Sequence, residues 1–271
     1  MLSPERKGRV TGSQAGAILG LSPWMTREDV IQEWLFGSIF VSNAATEYGS
    51  FHEEYALADL QLQIEGKCEP NQEFHIHREH NWLGCTPDGF VINKDDKAEY
   101  VIEIKCPFGL RNDEDPEFKL LEDMPHYYAQ VQLEMYCTGV PRAVFFQWNR
   151  FKNNLQFIEL DQQWIDENIP KLMQFMTEVD DRRATVGDDE LLAGRYLAAK
   201  RAFDQAKELL DEAKEQLVQL AAGQKRKVGP VSVYPVTRKG SVSYAKVVKD
   251  HLPDLDLTPY TGEPSVSWVV K

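Results

Sequence analysis

The sequence predicts a mixed α/β fold, because segments with helical spacing and short β-branched or alternating runs follow one another along the chain. A strand is indicated by the apolar run at residues 100–102, and a β-hairpin by alternation over residues 142–148 and 155–160. A helix is indicated over residues 126–137, which a proline precedes and a glycine follows within two residues. The 271 residues suit one large domain, or one domain with an appendage.

Three helices are predicted ahead of the central strands, over residues 14–19, 26–35 and 43–64. Ser13 and Thr26 are the expected N-caps of the first two helices, and Asp29 completes a capping box with Thr26. The third helix carries Glu53 and Glu54. On the residues alone, each of these two glutamates is an ordinary solvated charge.

Two long helices are predicted in the C-terminal half. The first, residues 161–180, has apolar residues four and three positions apart at Ile165, Ile169, Leu172, Met176 and Val179. The second carries a heptad stripe, made of Leu192, Tyr196, Ala199, Phe203, Ala206, Leu210, Ala213, Leu217 and Leu220. We expect this stripe to pack against the first helix, or against the equivalent helix of another subunit.

The last part of the chain is interpreted as a small α+β unit, with strands at 231–236 and 266–270 and a helix near 244–250. Its basic residues suit either an accessory DNA or protein contact or a solvated surface, and they are Lys225, Arg226, Lys227, Arg238, Lys239, Lys246 and Lys249. The expected division is a main domain at 1–185, a long helix at 186–223 and a C-terminal module at 224–271.

The net charge of −13 is unusual for a protein that binds nucleic acid, since phosphate contacts need Lys and Arg. Basic residues gather at Arg6, Lys7 and Arg9, whereas residues 113–117 and 180–190 are acidic. Any contact with DNA must therefore be local, and strong non-specific binding is not expected.

The composition also excludes several classes of protein. The four cysteines show no C-x-x-C spacing, which argues against a zinc knuckle or an iron–sulfur cluster. No apolar run approaches the ~20 residues of a membrane span, and the first residues lack the apolar core of a signal peptide. We therefore expect a cytoplasmic protein with reduced thiols and no membrane partner.

The stretch at residues 83–107 carries the candidate chemistry. Asp88 lies in a Pro-Asp-Gly turn, and Glu103 and Lys105 close a predicted strand further along the chain. Side chains alternate along a strand, so Glu103 and Lys105 share one face, and a hairpin turn over 93–96 brings Asp88 beside Glu103. Two carboxylates and a lysine at one strand end suit metal-dependent phosphodiester cleavage. The alternative is a surface Glu–Lys pair with an unrelated turn aspartate.

Three segments resemble the core motifs of phage lambda exonuclease and the related YqaJ-type viral recombinases, within the PD-(D/E)XK nuclease superfamily. They are GCTPDG at 84–89, EIKCPF at 103–108 and AQVQ at 129–132, and they match in content, order and spacing. The resemblance covers roughly residues 6–180 and implies a central mixed sheet flanked by helices. It is weak beyond residue 188, where the long C-terminal appendage departs from the lambda-type pattern.

The resemblance also implies a metal site and its residues. The implied ligands of Mg²⁺ or Mn²⁺ are the carboxylates of Asp88 and Glu103 and the main-chain carbonyl of Ile104. Lys105 would position or deprotonate the attacking water, or stabilise charge on the phosphate. Glu53 would complete the acidic cluster, and Gln130 would orient substrate or water.

A pocket for the 5′-terminal phosphate of DNA is implied as well, formed by Arg6, Ser13, Thr86 and Arg111. Family members resect the 5′-ended strand of double-stranded DNA from 5′ to 3′ and leave a 3′ overhang for a phage annealing protein. A homotrimeric ring around the duplex, in a bacterial host cell and of phage or prophage origin, is implied in the same way. Two alternatives stay open: an endonuclease or structure-specific nuclease of the same fold, and a non-catalytic module with a vestigial site that binds DNA ends or serves assembly.

Overall fold

The structure is a computed structural model and describes residues 5–37, 42–236, 240, 243–252 and 254–260. The chain divides into two compact units, Met1–Asp211 and Glu212–Lys271. This division falls inside the last long helix, and the expected boundaries at 185 and 223 stay predictions. No helix among the described residues is both long and apolar enough to cross a membrane.

The described residues of the first unit form eight strands and most of the helices. Its strands are β1 Val10–Thr11, β2 Lys67–Pro70, β3 His75–Ile76, β4 Leu83–Cys85, β5 Gly89–Ile92, β6 Ala98–Lys105, β7 Arg142–Trp148 and β8 Asn153–Glu159. Its helices are α1 Gly12–Ile18, α2 Arg27–Phe36, α3 Ala44–Gln61, α4 Pro125–Thr138 and α5 Gln162–Thr185, together with the beginning of α6 Asp188–Ala221. Short 3₁₀ turns lie at Phe108–Leu110 and Leu121–Asp123.

A five-stranded mixed sheet in the order β2-β5-β6-β7-β8 forms the centre of this unit. Strands β6 and β7 are parallel, and the other three pairings are antiparallel. Helix α3 covers one face, where Ala56 and Leu60 pack with Ile102. Helix α4 covers the opposite face, where Val131 packs with Val101. The expected mixed sheet flanked by helices is confirmed.

A smaller sheet in the order β1-β4-β3 lies beside helix α4. Strand β1 pairs with β4 in parallel, which places the beginning of α1 next to the central stretch. Helices α1, α2 and α5 bury their apolar residues in one cluster together with β4, including Ile18, Ile31, Leu172 and Leu83.

Most predicted helices are confirmed, and one predicted cap is wrong. Thr26 and Asp29 form the capping box of α2. The N-cap of α1 is Thr11 and not Ser13, because Thr11 ends β1 in an extended conformation and the helix already begins at Gly12. The Ser13 hydroxyl lies 3.2 Å from the Thr11 hydroxyl.

The two apolar stripes of the C-terminal helices have opposite surroundings. Ile165, Leu172 and Val179 of α5 are buried in the first unit, as their spacing predicts. Helix α5 does not cover the α6 stripe, since Leu192 and Phe203 are 69% and 67% exposed. The other expected cover, the equivalent helix of another subunit, stays a prediction. Helix α6 instead buries Gly194 next to α2, where an added Cβ would overlap the Phe36 ring.

The second unit contains the antiparallel pair β9 Arg226–Val228 and β10 Val231–Val233, helix α7 Tyr244–His251 and a 3₁₀ turn at Thr258–Tyr260. The expected helix near 244–250 is confirmed. The expected strand at 266–270 and the pair Arg238-Lys239 lie outside the described residues.

Candidate active site

The hairpin of β5 and β6 brings Asp88 to the backbone of the second strand. The Asp88 N–H donates to the Ile102 carbonyl at 3.1 Å, and Asp88 Oδ2 accepts the Ile104 N–H at 2.7 Å. The turn is closed at residues 93–97, with Asp96 in the left-handed region at φ 59°. The predicted hairpin is therefore confirmed, and it sets the Asp88 carboxylate beside the segment that carries Glu103.

Alternation along β6 sends its polar residues towards helix α4. Lys105 Nζ lies 2.5 Å from Glu103 Oε1, and Gln130 Nε2 donates to the same oxygen at 2.6 Å. Lys105 Nζ also lies 3.4 Å from Gln130 Oε1 and 4.7 Å from the centroid of the Tyr127 ring. Ile104 packs on the other face of the sheet, in the cluster under α3. Glu103, Lys105 and Gln130 thus form one hydrogen-bonded group.

The electrostatics of this group follow from the burial of two acids beside one lysine. Burial and then the nearby Glu103 carboxylate raise the pKa of Asp88 well above its usual range, although Lys105 opposes this shift. Burial also disfavours the charged form of Lys105, but the carboxylates of Glu103 and Asp88 outweigh it and raise the pKa of Lys105. The lysine therefore stays an ammonium group, which can hold negative charge nearby.

Glu53 reaches the same site from helix α3. Partial burial raises the pKa of its carboxyl, and the Glu103 carboxylate raises it further, whereas Lys105 lowers it. The residue as a whole is exposed, so its carboxyl lies at the rim of the buried group. The structure thus places Glu53 within electrostatic range of Glu103 and Lys105.

A small cavity of about 30 Å³ adjoins the group. The structure brings Arg6, Ser13 and Thr86 together in its wall, and Arg6 Nη2 donates to Thr86 Oγ1 at 2.7 Å. Gln130 and Glu134 line the same cavity from α4. Part of the cavity wall is therefore basic and rich in hydroxyl groups. Another part is formed by Glu134 and by Gln130, which donates to Glu103.

Arg111 is not among the described residues that line this cavity. Its guanidinium stacks on the Phe108 ring at 3.7 Å and donates to the Phe108 carbonyl at 2.8 Å. The Arg111 side chain is thus held at the 3₁₀ turn after β6, and it does not line the cavity together with Arg6.

The prediction of site residues from the sequence missed Glu134. This residue of α4 is 1% exposed, and its Oε1 accepts the Gln130 amide N–H at 2.9 Å. Its position four residues after Gln130 places both on one helix face. That spacing was the signal in the sequence, since a glutamate on the same inward face as a site glutamine is costly unless it has a partner there.

The donors present are suited to a hard divalent cation. Among the described residues, no donor reaches the buried Oε2 of Glu103. The buried Glu103 and the partly buried Asp88 around one lysine leave negative charge that a cation would balance. Carboxylate and carbonyl oxygens are the ligands that Mg²⁺ prefers. No group of three His, Cys, Asp or Glu side chains in the described part of the chain is arranged to hold an ion. Asp88 and Glu103 would therefore need main-chain or water oxygens to complete the coordination.

Comparison with known proteins places this site in a family. The model of the YqaJ-like viral recombinase domain matches residues 3–141, which is half of the chain and includes the Asp88–Lys105 segment. The uncharacterized protein YqaJ of Bacillus subtilis (strain 168) is 25% identical over 219 residues, which cover 76% of this chain. The chain spans 65% of the length of that relative.

Solved structures share the fold. An alkaline exonuclease, LHK-Exo from Laribacter hongkongensis, has a TM-score of 0.52 and 23% identity, covering 73% of this chain and 95% of that one. A phage-related exonuclease from Haemophilus somnus 129PT has a TM-score of 0.52 and 15% identity, covering 65% and 95%. Because the family model matches half of the chain, including the hairpin and the residues that line the Arg6 cavity, the chain belongs to the YqaJ-like viral recombinase family.

Proposed function

We propose that this chain is a Mg²⁺- or Mn²⁺-dependent DNA exonuclease that degrades the 5′-ended strand of linear duplexes from 5′ to 3′. The observation that carries the proposal is the group of Asp88, Glu103 and Lys105 around the buried Glu103 carboxylate, which shares Gln130 with the cavity lined by Arg6. Acidic ligands beside a cation suit phosphodiester cleavage, and a basic, hydroxyl-rich cavity next to them suits a terminal phosphate.

The names of similar proteins support this proposal. LHK-Exo is described as an alkaline exonuclease and has been solved in complex with dAMP, and a third similar structure is described as a phage-related exonuclease. A nuclease acting on DNA in the cytoplasm of a bacterial host, of phage or prophage origin, fits the family of viral recombinases.

In the proposed mechanism, Asp88, Glu103 and the carbonyl of Ile104 would hold the divalent cation. When bound, such a cation polarises the phosphodiester and lowers the pKa of an attacking water. Lys105 is fixed by Glu103 and Gln130, and its ammonium group stabilises charge on the phosphate or positions the water. The amide of Gln130 orients the water or substrate from the α4 side.

Glu53 completes the acidic cluster from the rim, where its raised pKa suits a group that accepts a proton.

The cavity wall supplies recognition of the 5′ end. The Arg6 guanidinium and the hydroxyls of Ser13 and Thr86 would exchange their present contacts for oxygens of the terminal phosphate. A phosphate anchored there places the next linkage beside Asp88 and Glu103, which gives stepwise removal from the 5′ end. Arg111 is held at Phe108 and is left out of this part of the proposal.

Assembly and partners belong to the same proposal. A ring of three subunits around the duplex would keep a chain of net charge −13 on DNA without a strong electrostatic grip. The 3′ single strand left behind is the substrate of a single-strand annealing protein, which would be the partner.

The test uses the purified chain and one duplex sequence in three forms: linear with 5′-phosphate, linear with 5′-hydroxyl, and covalently closed circular. The proposal expects cleavage of the linear forms in Mg²⁺ and none in EDTA, with mononucleotides released from the 5′ end and the phosphorylated end preferred. Cutting of the circle would identify an endonuclease. Binding to ends without any cleavage would identify a non-catalytic module.

A further inference from the structure

Glu134 connects the cavity with the group around Glu103. It lines the cavity together with Arg6, Ser13 and Thr86, and it is 1% exposed. No described residue donates to or accepts from its buried Oε2. A carboxyl group so placed has a cost in stability, since buried polar atoms normally have partners.

The Gln130 amide depends on Glu134 for its orientation. Both N–H groups of Gln130 Nε2 are used, one towards Glu103 Oε1 at 2.6 Å and one towards Glu134 Oε1 at 2.9 Å. The amide oxygen then faces Lys105 Nζ at 3.4 Å. Because an amide has two donors and one acceptor, two carboxyl oxygens on one side determine which end faces the lysine.

Helix α1 seals this contact from water. It approaches α4 so closely that a Cβ on Gly12 would lie 3.4 Å from both Cγ and Oε1 of Glu134. Burial first, and then the Glu103 carboxylate, raise the pKa of Glu134 well above its usual range. A neutral acid in the wall does not repel an anion in the cavity, and it retains an O–H that can donate a hydrogen bond.

We propose that Glu134 is a positioning residue of the nuclease site: its carboxyl group, which also lines the 5′-end cavity, accepts from the Gln130 amide and so holds the amide oxygen towards Lys105. This inference rests on the proposed function and adds to it a specific link between recognition of the end and the reacting group.

The test compares Glu134→Gln with Glu134→Met. Glutamine is neutral and keeps an acceptor for Gln130, whereas methionine has similar length and no comparable acceptor. We expect Glu134→Gln to keep both kcat and the preference for a 5′-phosphate over a 5′-hydroxyl. Glu134→Met should lower kcat on the phosphorylated duplex about tenfold or more, and should reduce that preference, because the Gln130 amide is no longer fixed.

Gln132→Met is the matched control. Gln132 lies on the same helix, is fully buried, and makes two hydrogen bonds to the main chain, with the Glu159 carbonyl and the Asp161 N–H. Its loss should lower the melting temperature and leave the ratio of rates on the two kinds of end unchanged. A purely structural role for Glu134 predicts the same pattern for Glu134→Met, which would overturn the inference.

Two further results are possible for these variants. If Glu134→Gln is as impaired as Glu134→Met, a charged carboxylate is required and the inference is wrong. If Glu134→Met does not fold, Glu134→Ala is measured in its place, with a thermal unfolding curve beside each rate.

A separate binding measurement keeps this inference distinct from the proposed function. If the wild-type chain cleaves no duplex, the proposed function fails. The role of Glu134 is then tested by fluorescence anisotropy in EDTA, which measures binding of the 5′-phosphorylated and the 5′-hydroxyl duplex. The inference then expects tighter binding of the phosphorylated end by wild type and loss of that difference in Glu134→Met. Equal binding of both ends by wild type overturns it.

Discussion

The end of strand β6 buries a charged residue, whereas the surface of helix α6 exposes large apolar residues. Both are departures from the usual arrangement, in which charge is exposed and apolar side chains are buried. At β6, Glu103 is 1% exposed and lies against a lysine and a glutamine. Along α6, Leu192 and Phe203 are more than two thirds exposed. Burying charge is unfavourable unless partners compensate, and Lys105 and Gln130 supply those partners for Glu103. On α6, by contrast, apolar spacing did not by itself bury the stripe.

Removal of the buried charges should give the largest effect. We expect Glu103→Gln and Lys105→Met each to lower the rate on linear duplex about 10³-fold or more, because Glu103 is proposed to hold the divalent cation and Lys105 to stabilise charge on the phosphate or position the water. Both changes should also lower the melting temperature in EDTA, because removal of one partner of a buried ion pair leaves the other charge uncompensated. Each rate is therefore measured beside a thermal unfolding curve, at a temperature where the variant is folded.

Glu99→Gln is the control for that pair, because Glu99 lies at the other end of the same strand and pairs with Arg142 at 2.8 Å. It should cleave as wild type does. A Lys105→Met enzyme with near-wild-type rates would show that the β6 group is only structural.

The two apolar stripes should differ in stability when the same change is made in each. Leu172→Ala on α5 removes a fully buried side chain and should lower the free energy of unfolding by about 2–5 kcal/mol. Leu210→Ala on α6 removes a side chain that is 55% exposed and should cost about 0.5 kcal/mol or less.

Urea unfolding followed by circular dichroism measures both variants under one condition. Equal losses in the two would mean that the α6 stripe is covered in solution, and the contrast with β6 would then disappear.

Changes at two arginines near the N-terminus should have the smallest effect on the rate, and the one most specific to the 5′ end. Arg6 contacts Thr86 in the cavity wall, whereas Arg9 donates to the carbonyls of Asn81 and Glu5. Arg6→Ala should lower the rate on 5′-phosphorylated duplex about 10- to 100-fold and the rate on 5′-hydroxyl duplex much less, since a charge-assisted hydrogen bond is lost. Arg9→Ala should change both rates equally and slightly. The same ratio of rates in both variants would remove Arg6 from end recognition.

The sequence by itself determined the parts of the molecule that depend on local structure. The hairpin that joins Asp88 to β6 follows from a Pro-Asp-Gly turn, a β-branched run and a second turn, all within a short stretch of chain. Alternation along β6 then fixed that Glu103 and Lys105 share a face. The capping box of α2 and the buried stripe of α5 were likewise predictable, because their signals lie within one element.

Only the tertiary structure decided which elements meet. The pairing of β1 with β4 made Thr11 the N-cap of α1, and the approach of α1 to α4 at Gly12 sealed Glu134 beside Gln130. The Arg111 guanidinium stacks on the ring of Phe108, three residues before it. The heptad spacing of α6 showed that an apolar face exists but not what lies against it, because spacing records the period of a helix while burial depends on long-range packing between elements.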